Sequence, residues 1–284
     1  SYDHGLQMDN MVDMPEYETL VDIEPIQKMP VAQLIDIPAL PAMATWVNLR
    51  ELGAKGDGET DDTKAIQEAI DKYDNIYVPQ GWYRITETLK MKPDTKLIGL
   101  HPFGTQFQLD ESTAAFSGFG GPKAMVESSE GGANMLVGIG INTGGYNYRA
   151  VGVKWMANAD SYMNDVKFVG GHGGLWKPKP GVEEPRGRWN RPARISSPDN
   201  PVAASGMDLA WDNQYWSLWV TNNGGGTFKD IWTASTYATN GFYANNTSTP
   251  GRIYAVSIEH HVRNEVRFNK VSNWKVYCMQ TEEE

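Results

Sequence analysis

The stretch ELGAKGDGETDDTKAIQEAIDKY, residues 51–73, joins a turn rich in glycine and aspartate to a single amphipathic helix. Asp62 or Thr63 is a favourable N-cap residue for that helix. The apolar positions recur at the spacing of one buried helix face and are Ile66, Ala69, Ile70 and Tyr73. The next segment, NIYVPQGWYRITETLKMKPDTKLIGL (75–100), instead has the pattern of short β-strands separated by turn residues. A lone helix with one apolar face must cover something, so we expect it to cap the N-terminal end of a stack of strands.

Short strands with similar surroundings return in segments 150–171, 218–235 and 258–282. In each segment an Asp or Asn precedes an apolar run, at Asp165, Asp230 and Asn273. The step from 230 to 273 is 43 residues, which we interpret as two turns of roughly 21 residues, within the range of solenoid repeats. The pattern predicts an all-β parallel β-helix. The alternative is an antiparallel sandwich, which would favour tight two-residue hairpins, and few such turns are visible.

The charge of the chain limits its partners. The formal net charge is −10, and residues 1–40 carry eight acidic side chains against one lysine. An acidic chain is a poor general binder of nucleic acid. The apolar runs are also far shorter than the roughly 20 residues that a membrane-spanning helix needs. We therefore expect no nucleic-acid partner and no membrane span.

The chain is expected to contain two regions. Residues 1–44 hold five prolines and scattered aliphatic residues without a sustained period, which predicts an extended acidic arm lying along a folded body; a disordered linker is the alternative. Residues 45–284 are expected to form the β-helix domain. The single cysteine, Cys278, lies in a strand-like run and is predicted to be a buried thiol, since free cysteine packs like a small hydrophobe.

The segment VNLRELGAKGDGETDDTKAIQEAI (47–70), with the strand runs that follow it, closely resembles the N-terminal signature of the pectate-lyase-like right-handed parallel β-helix superfamily. That superfamily includes polygalacturonases, polysaccharide lyases, β-1,3-glucanases of glycoside hydrolase family fifty-five, and phage tailspikes. The arm before the signature also resembles the joint before the second β-helix of the β-1,3-glucanase group. The resemblance implies a right-handed solenoid and a secreted, periplasmic or cell-surface location, while the signature identifies the fold and not the chemistry.

A long insertion at about 172–217 interrupts the repeats and mixes tryptophans with arginines. Aromatic rings stack on the C–H faces of sugars, and guanidinium groups pair with carboxylate or sulfate. The mixture therefore predicts one wall of a cleft for an anionic glycan. A structural loop or a subunit contact is the alternative. The expected substrate-binding residues are Trp176, Arg188, Trp189, Arg191, Trp211, Tyr215 and Trp216.

Glycoside hydrolysis needs a pair of carboxylates, and equivalent positions on neighbouring coils of a solenoid lie roughly 4.8 Å apart. In an uninterrupted strand, Glu259 and His261 would share a face while His260 points away. A lyase would instead need a base such as His260 to remove the proton next to a uronate carboxylate. The candidate catalytic residues are Glu259, Asp212, Glu282 and His260, with Asp208 and His172 as further candidates.

The sequence thus predicts a polysaccharide-degrading glycoside hydrolase that acts on a β-1,3-glucan or an anionic glycan. A polysaccharide lyase and a non-catalytic, tailspike-like glycan-binding module remain alternatives. No cofactor is expected, although Asp160 and Asp165 could bind a structural calcium. The terminal run CMQTEEE follows a strand without a visible cap, so we expect a second fragment or subunit to continue the stack at this end.

Overall fold

The computed structural model describes residues 2–10, 12–29, 31, 37–169, 214–233, 238–261 and 263–282. The chain divides into two compact units, Ser1–Asp36 and Ile37–Glu284. No helix in these described ranges is long and apolar enough to cross a membrane.

The first unit contains an antiparallel hairpin of β1 (Tyr2–Gln7) and β2 (Glu16–Val21). Most of the hairpin's side chains are exposed. The extended arm predicted for this region is not confirmed, because strands β1 and β2 pair into a hairpin there. Residues 1–44 lack the alternating apolar pattern from which such a pair could have been predicted.

The second unit is a β-solenoid of about seven coils, and every strand pairing described in it is parallel. This confirms the predicted parallel β-helix over the antiparallel sandwich. Each coil passes through three faces, which we name A, B and C. The described residues include two short helical segments: the 3-10 helix Met43–Thr45, which lies before the first strand of the solenoid, and helix α1, Thr63–Lys72, which follows the first two strands.

The strands of faces A and B are hydrogen-bonded into one sheet. The short strands of face A are β3 (Val47–Asn48), β5 (Asn75–Tyr77), β8 (Lys96–Ile98), β11 (Met135–Val137) and β20 (Trp274–Val276). The short strands of face B are β4 (Asp57–Asp61), β6 (Gly81–Arg84), β9 (Thr105–Gln108), β12 (Gly140–Asn142) and β21 (Met279–Glu282). Three longer strands run across both faces: β14 (Tyr162–Val169), β16 (Gly226–Thr233) and β18 (Gly251–Glu259).

Face C is a separate six-stranded sheet. Its strands are β7 (Leu89–Lys90), β10 (Lys123–Glu127), β13 (Ala150–Trp155), β15 (Gln214–Val220), β17 (Ala238–Thr247) and β19 (Asn264–Val271). We call the segments that join face B to face C the B–C edge. From the second coil onward the described residues of these segments are 85–88, 109–122, 143–149, 260–261 and 263.

The pairing register corrects the predicted repeat. Asp165 and Asp230 occupy equivalent places on neighbouring coils, where both have positive φ at the bend between faces A and B. Asn273 lies at a different corner, just before β20. The true step is 25 residues from Thr227 to its partner Arg252, so the interpretation of 43 residues as two turns is wrong. Asp230 and Asn273 lie at two different corners of the coil and share only a left-handed backbone conformation, which favours Asp and Asn at both places.

Aromatic and aliphatic side chains fill the interior of the solenoid. The largest fully buried side chain, Trp155, packs edge-on against Phe228 at 6.3 Å between ring centroids. Phe228 in turn stacks on Trp274 at 5.5 Å, which carries the core into the last coil. Cys278, predicted to be buried, is exposed. It lies between β20 and β21, beside Ala255 at the outer bend between faces A and B.

Helix α1 confirms the predicted apolar face, because Ile66, Ala69 and Ile70 are buried in the same cluster as the first strands. The helix lies beside β7, the first strand of face C. The side-chain amide of Gln67 accepts the N–H of Lys90 at 2.8 Å and donates to its carbonyl at 3.0 Å. One amide thus satisfies both polar groups of an exposed strand residue, as a neighbouring strand would.

The signature aspartate Asp62 stands at the N-cap position, and its carbonyl accepts the N–H of Ile66 at 2.9 Å. Its carboxylate does not cap the helix and instead accepts the backbone N–H groups of Lys55 (2.7 Å) and Gly56 (2.9 Å). Burial raises the pKa of the Asp62 carboxyl, although these two hydrogen bonds act to lower it. The carboxylate therefore ties the glycine turn to the helix, which is a structural role.

Candidate functional site

Glu259 is the last residue of β18 and is half-buried on the outside of face B. Its Oε1 accepts a hydrogen bond from Nε1 of Trp232 at 3.0 Å. The hydroxyl of Ser257 donates a second hydrogen bond to the same oxygen. Two donors from two coils therefore fix the orientation of this carboxylate.

Glu282 lies beside Glu259 because β21 pairs with β18 in register, residue for residue. His260 joins them, with its Nε2 at 3.8 Å from Glu282 Oε1. One ligand atom from each of the three side chains lies within 4.8 Å of the other two. The structure therefore brings together three of the four predicted catalytic residues.

The prediction that Glu259 and His261 share a face, with His260 pointing away, is wrong. His260 has a φ of +66°, so the strand ends at Glu259 and the alternation of side chains ends with it. His260 consequently lies on the side of the carboxylates, while His261 turns into the protein and is buried.

His261 belongs to a buried polar network at the B–C edge. Its Nδ1 lies 2.6 Å from Glu265 Oε2, and its Nε2 lies 3.3 Å from the hydroxyl of Ser217 two coils below. The backbone N–H of His261 also donates to Glu265 Oε1 at 2.8 Å. The intervening coil presents Gly241, where a Cβ would lie 2.8 Å from His261 Cε1. The missing side chain is what lets His261 reach across that coil. The network fixes the turn that carries His260.

Aromatic side chains lie next to the carboxylates. Trp232 is half-buried and contacts Phe103 edge-on at 5.7 Å between ring centroids. Its strand neighbours in the register are Lys167 on one side and Ser257 on the other. Sequence analysis missed Trp232. The signal was present, since Ile231 is a core residue and the next residue of a strand must point the opposite way.

The predicted aromatic and arginine-rich wall cannot be placed. Trp176, Arg188, Trp189, Arg191 and Trp211 lie outside the described residues, as do the catalytic candidates Asp212, Asp208 and His172.

Tyr215 and Trp216, also predicted to bind substrate, belong to strand β15 rather than to a loop. The run QYWSLWV (214–220) alternates well enough to form a strand, so the predicted insertion extends too far at its C-terminal side. Trp216 packs against Trp219 and Tyr243 on face C, at 4.6 and 4.9 Å between ring centroids.

A divalent cation could be held only where several ligand atoms converge. Within the described ranges, such a convergence occurs at Glu259, His260 and Glu282. Asp160 and Asp165, the predicted calcium ligands, are not part of it, and Asp165 instead pairs with Lys167 at 3.2 Å.

A sequence model of the family described as rhamnogalacturonase A/epimerase, pectate lyase-like, matches residues 46–249, more than half of the chain. The chain belongs to this family. The match covers the first coils and ends before Glu259, His260 and Glu282. Membership in the pectate lyase-like family therefore agrees with the fold that the sequence signature implied, but it assigns no role to these three residues.

Three curated proteins share short segments with this pectate lyase-like chain. A probable glucan endo-1,3-beta-glucosidase of Arthroderma benhamiae is 44% identical over 57 residues, which is 19% of this chain and 6% of that protein. The preneck appendage protein of Bacillus phage PZA is 42% identical over 53 residues, 19% of this chain and 6% of that protein. Alginate lyase 7 of Azotobacter vinelandii is 50% identical over 44 residues, 14% of this chain and 5% of that protein. The shared segments thus span only a small part of each relative.

Proposed function

We propose that this chain belongs to a polysaccharide-degrading glycoside hydrolase in which Glu259 and Glu282 form the reacting carboxylate pair. The observation that carries the proposal is their position: two carboxylates from adjacent coils meet on the outer surface of face B, beside the indole of Trp232. Family membership and the short similarities to a glucosidase and a lyase support action on a polysaccharide. In this proposal the protein is secreted, periplasmic or at the cell surface, and α1 caps the solenoid.

The close approach of the carboxylates bears on the mechanism. Retaining enzymes hold their two carboxyl groups about 5–5.5 Å apart, and inverting enzymes hold them about 6.5–9.5 Å apart. The nearest ligand oxygens of Glu259 and Glu282 lie within 4.8 Å, which fits retention better. Glu259 would attack the anomeric carbon, because the Trp232 and Ser257 donors hold its carboxylate in one orientation. Glu282, adjacent to His260, would donate a proton to the leaving oxygen and later take one from water.

The test is a reducing-end assay on laminarin, polygalacturonate and a sulfated glycan. Glu259→Gln and Glu282→Gln should each lower the rate on the accepted substrate by roughly 10²–10⁴-fold. Glu68→Gln is the matched control, since this glutamate is exposed on α1 and pairs with the exposed Lys64 at 3.6 Å. Circular dichroism should show all three variants folded. Full activity in both site variants would overturn the proposal.

A polysaccharide lyase is the second candidate, and the position of His260 favours it. His260 Nε2 lies 3.8 Å from Glu282 Oε1. A histidine in this position could act as the base that removes the proton next to a uronate carboxylate. A lyase would release unsaturated uronate, which absorbs in the ultraviolet, whereas hydrolysis would release reducing ends without that absorbance.

A non-catalytic glycan-binding module is the third candidate; a phage preneck appendage protein is among the relatives that share a short segment with this chain. It would bind a glycan on face B without cleaving it. Retention of a polysaccharide on native affinity gels, with neither reducing ends nor unsaturated products formed, would identify this case.

A further inference from the structure

A separate cavity of about 280 Å³ opens along the B–C edge on the side of face C. Four successive coils contribute to it, since its lining comes from the glycine loop before β10, from the turn before β13, and from the starts of β15 and β17. The volume lies near the lower end of the roughly 300–1,000 Å³ typical of small-molecule sites, so it suits a single ring. The lining residues are Gly118, Phe119, Gly120, Tyr148, Gln214, Tyr215 and Thr239.

The glycine loop holds an aromatic ring in an exposed position. Phe119 is fully exposed to solvent, although burial of such a side chain is ordinarily favourable. Gly118 and Gly120, on either side of it, have φ of +74° and +151°. Other residues rarely adopt these backbone angles, so the pair of glycines specifies the shape that presents the ring.

Neighbouring coils brace this loop. The hydroxyl of Tyr215 donates to the carbonyl of Gly120 at 2.8 Å, and Nε of Arg149 donates to the carbonyl of Gly121 at 3.1 Å. Tyr148, the second exposed ring, is 42% exposed. Two aromatic rings are thus offered to solvent, one on the glycine loop and one on the turn before β13. The hydrogen bonds fix the glycine loop before any ligand arrives, which lowers the entropic cost of binding.

The chemistry of the lining selects the ligand. The described lining residues bear no formally charged side chain, so what they offer a ligand is aromatic and hydroxyl contact. The cavity offers the faces of Phe119 and Tyr148, which can stack on C–H groups, and the Tyr215 and Thr239 hydroxyl oxygens, which can accept hydrogen bonds. We propose that this cavity is an accessory subsite for an uncharged sugar ring, an inference that rests on the proposed function of the chain.

The position of the cavity explains how one glycan could use both sites. Thr239 lines the cavity, and the next residue, Asn240, pairs with Asn264 in the coil that carries His260. Coils are spaced by roughly 4.8 Å, so a polysaccharide lying along the B–C edge would pass from the cavity to Glu259 within a few coils. The cavity would then hold a ring that is not itself cleaved.

The experiment measures binding apart from catalysis, in the Glu259→Gln background. Laminari-oligosaccharides and oligogalacturonate are titrated by calorimetry into the protein with and without the double change Phe119→Ala/Tyr148→Ala. We expect the double change to weaken binding of the uncharged oligosaccharide by roughly tenfold, the effect of losing two stacking contacts. Tyr17→Ala, which removes an exposed tyrosine from the hairpin, is the matched control and should leave the affinity unchanged.

The outcomes separate the two proposals. Unchanged affinity in the double variant of a protein that hydrolyses glycans would overturn the subsite and leave the proposed function standing. Loss of uncharged-sugar binding in a protein that cleaves no glycan would support the subsite and count against the hydrolase. Tighter binding of oligogalacturonate at the cavity, or a double change that alters only self-association, would also overturn the assignment.

Discussion

Replacing Gly241 with alanine tests whether the buried network at the B–C edge depends on a missing side chain. The new Cβ would overlap Ile258 Cγ2 and would lie 2.8 Å from both the Glu265 carbonyl oxygen and His261 Cε1. Ile258 is a fully buried β-branched residue, and the Glu265 oxygen is backbone, so neither can move freely. Overpacking of this kind costs about 1–3 kcal/mol. For a folded unit of this size, each kcal/mol lowers the Tm by about 2–4 °C.

We therefore expect Gly241→Ala to lower the Tm by roughly 2–12 °C in a thermal scan followed by circular dichroism. Gly121→Ala is the matched control, since a Cβ there meets nothing within 4 Å and the backbone needs no glycine. A new methyl group at such a position is neutral or stabilises by about 0.4–1 kcal/mol. A Gly241→Ala protein as stable as Gly121→Ala would refute the reasoning, because the space beside Gly241 would then accommodate a methyl group without overpacking.

Two other predictions concern pH and metal ions. Because burial raises the pKa of Asp62 above 3.8, the folded state holds that proton more tightly than the unfolded state. The Tm of the wild type minus that of Asp62→Asn should therefore fall as the pH rises from below 3.8 through the raised pKa; a difference that grows with pH would contradict this. The proposed carboxylate chemistry uses no metal, so dialysis against a chelator should leave glycan cleavage unchanged. A loss that calcium or manganese restores would contradict metal-free chemistry, and the cluster of Glu259, His260 and Glu282 would then be the first metal site to test.

The fold was accessible from the sequence because solenoid coils repeat simple local rules. The buried stripe of α1 and the short strands that follow it are patterns of period 3.6 and period 2, and both are confirmed. Other features depend on long-range register. Asp230 and Asn273 looked like one repeating position, but strand pairing places them at different corners. Cys278 was predicted to be buried because its run is strand-like and free cysteine packs like a small hydrophobe, yet it is exposed at an outer bend.

The site was foreseen in part for the same reason. Glu259 and Glu282 meet because strand register stacks equivalent positions, which the solenoid prediction already implied. The side on which His260 lies depended on one left-handed residue, and no rule of alternation anticipates where a strand stops. The partner of Glu259 on the next coil, Trp232, is separated from it by 27 residues. Only the register, and not local spacing, joins them.

The variable lengths of the segments joining face B to face C have a consequence for how this protein can change. Segments as different in length as 85–88 and 109–122 leave the same side of the stack, whereas β14, β16 and β18 cross from face A to face B without a break. Insertions at the B–C edge need not alter the backbone hydrogen bonds between the strands of faces A, B and C. New recognition loops could therefore be exchanged there, by natural divergence or by grafting, while the scaffold that aligns the carboxylates stays intact.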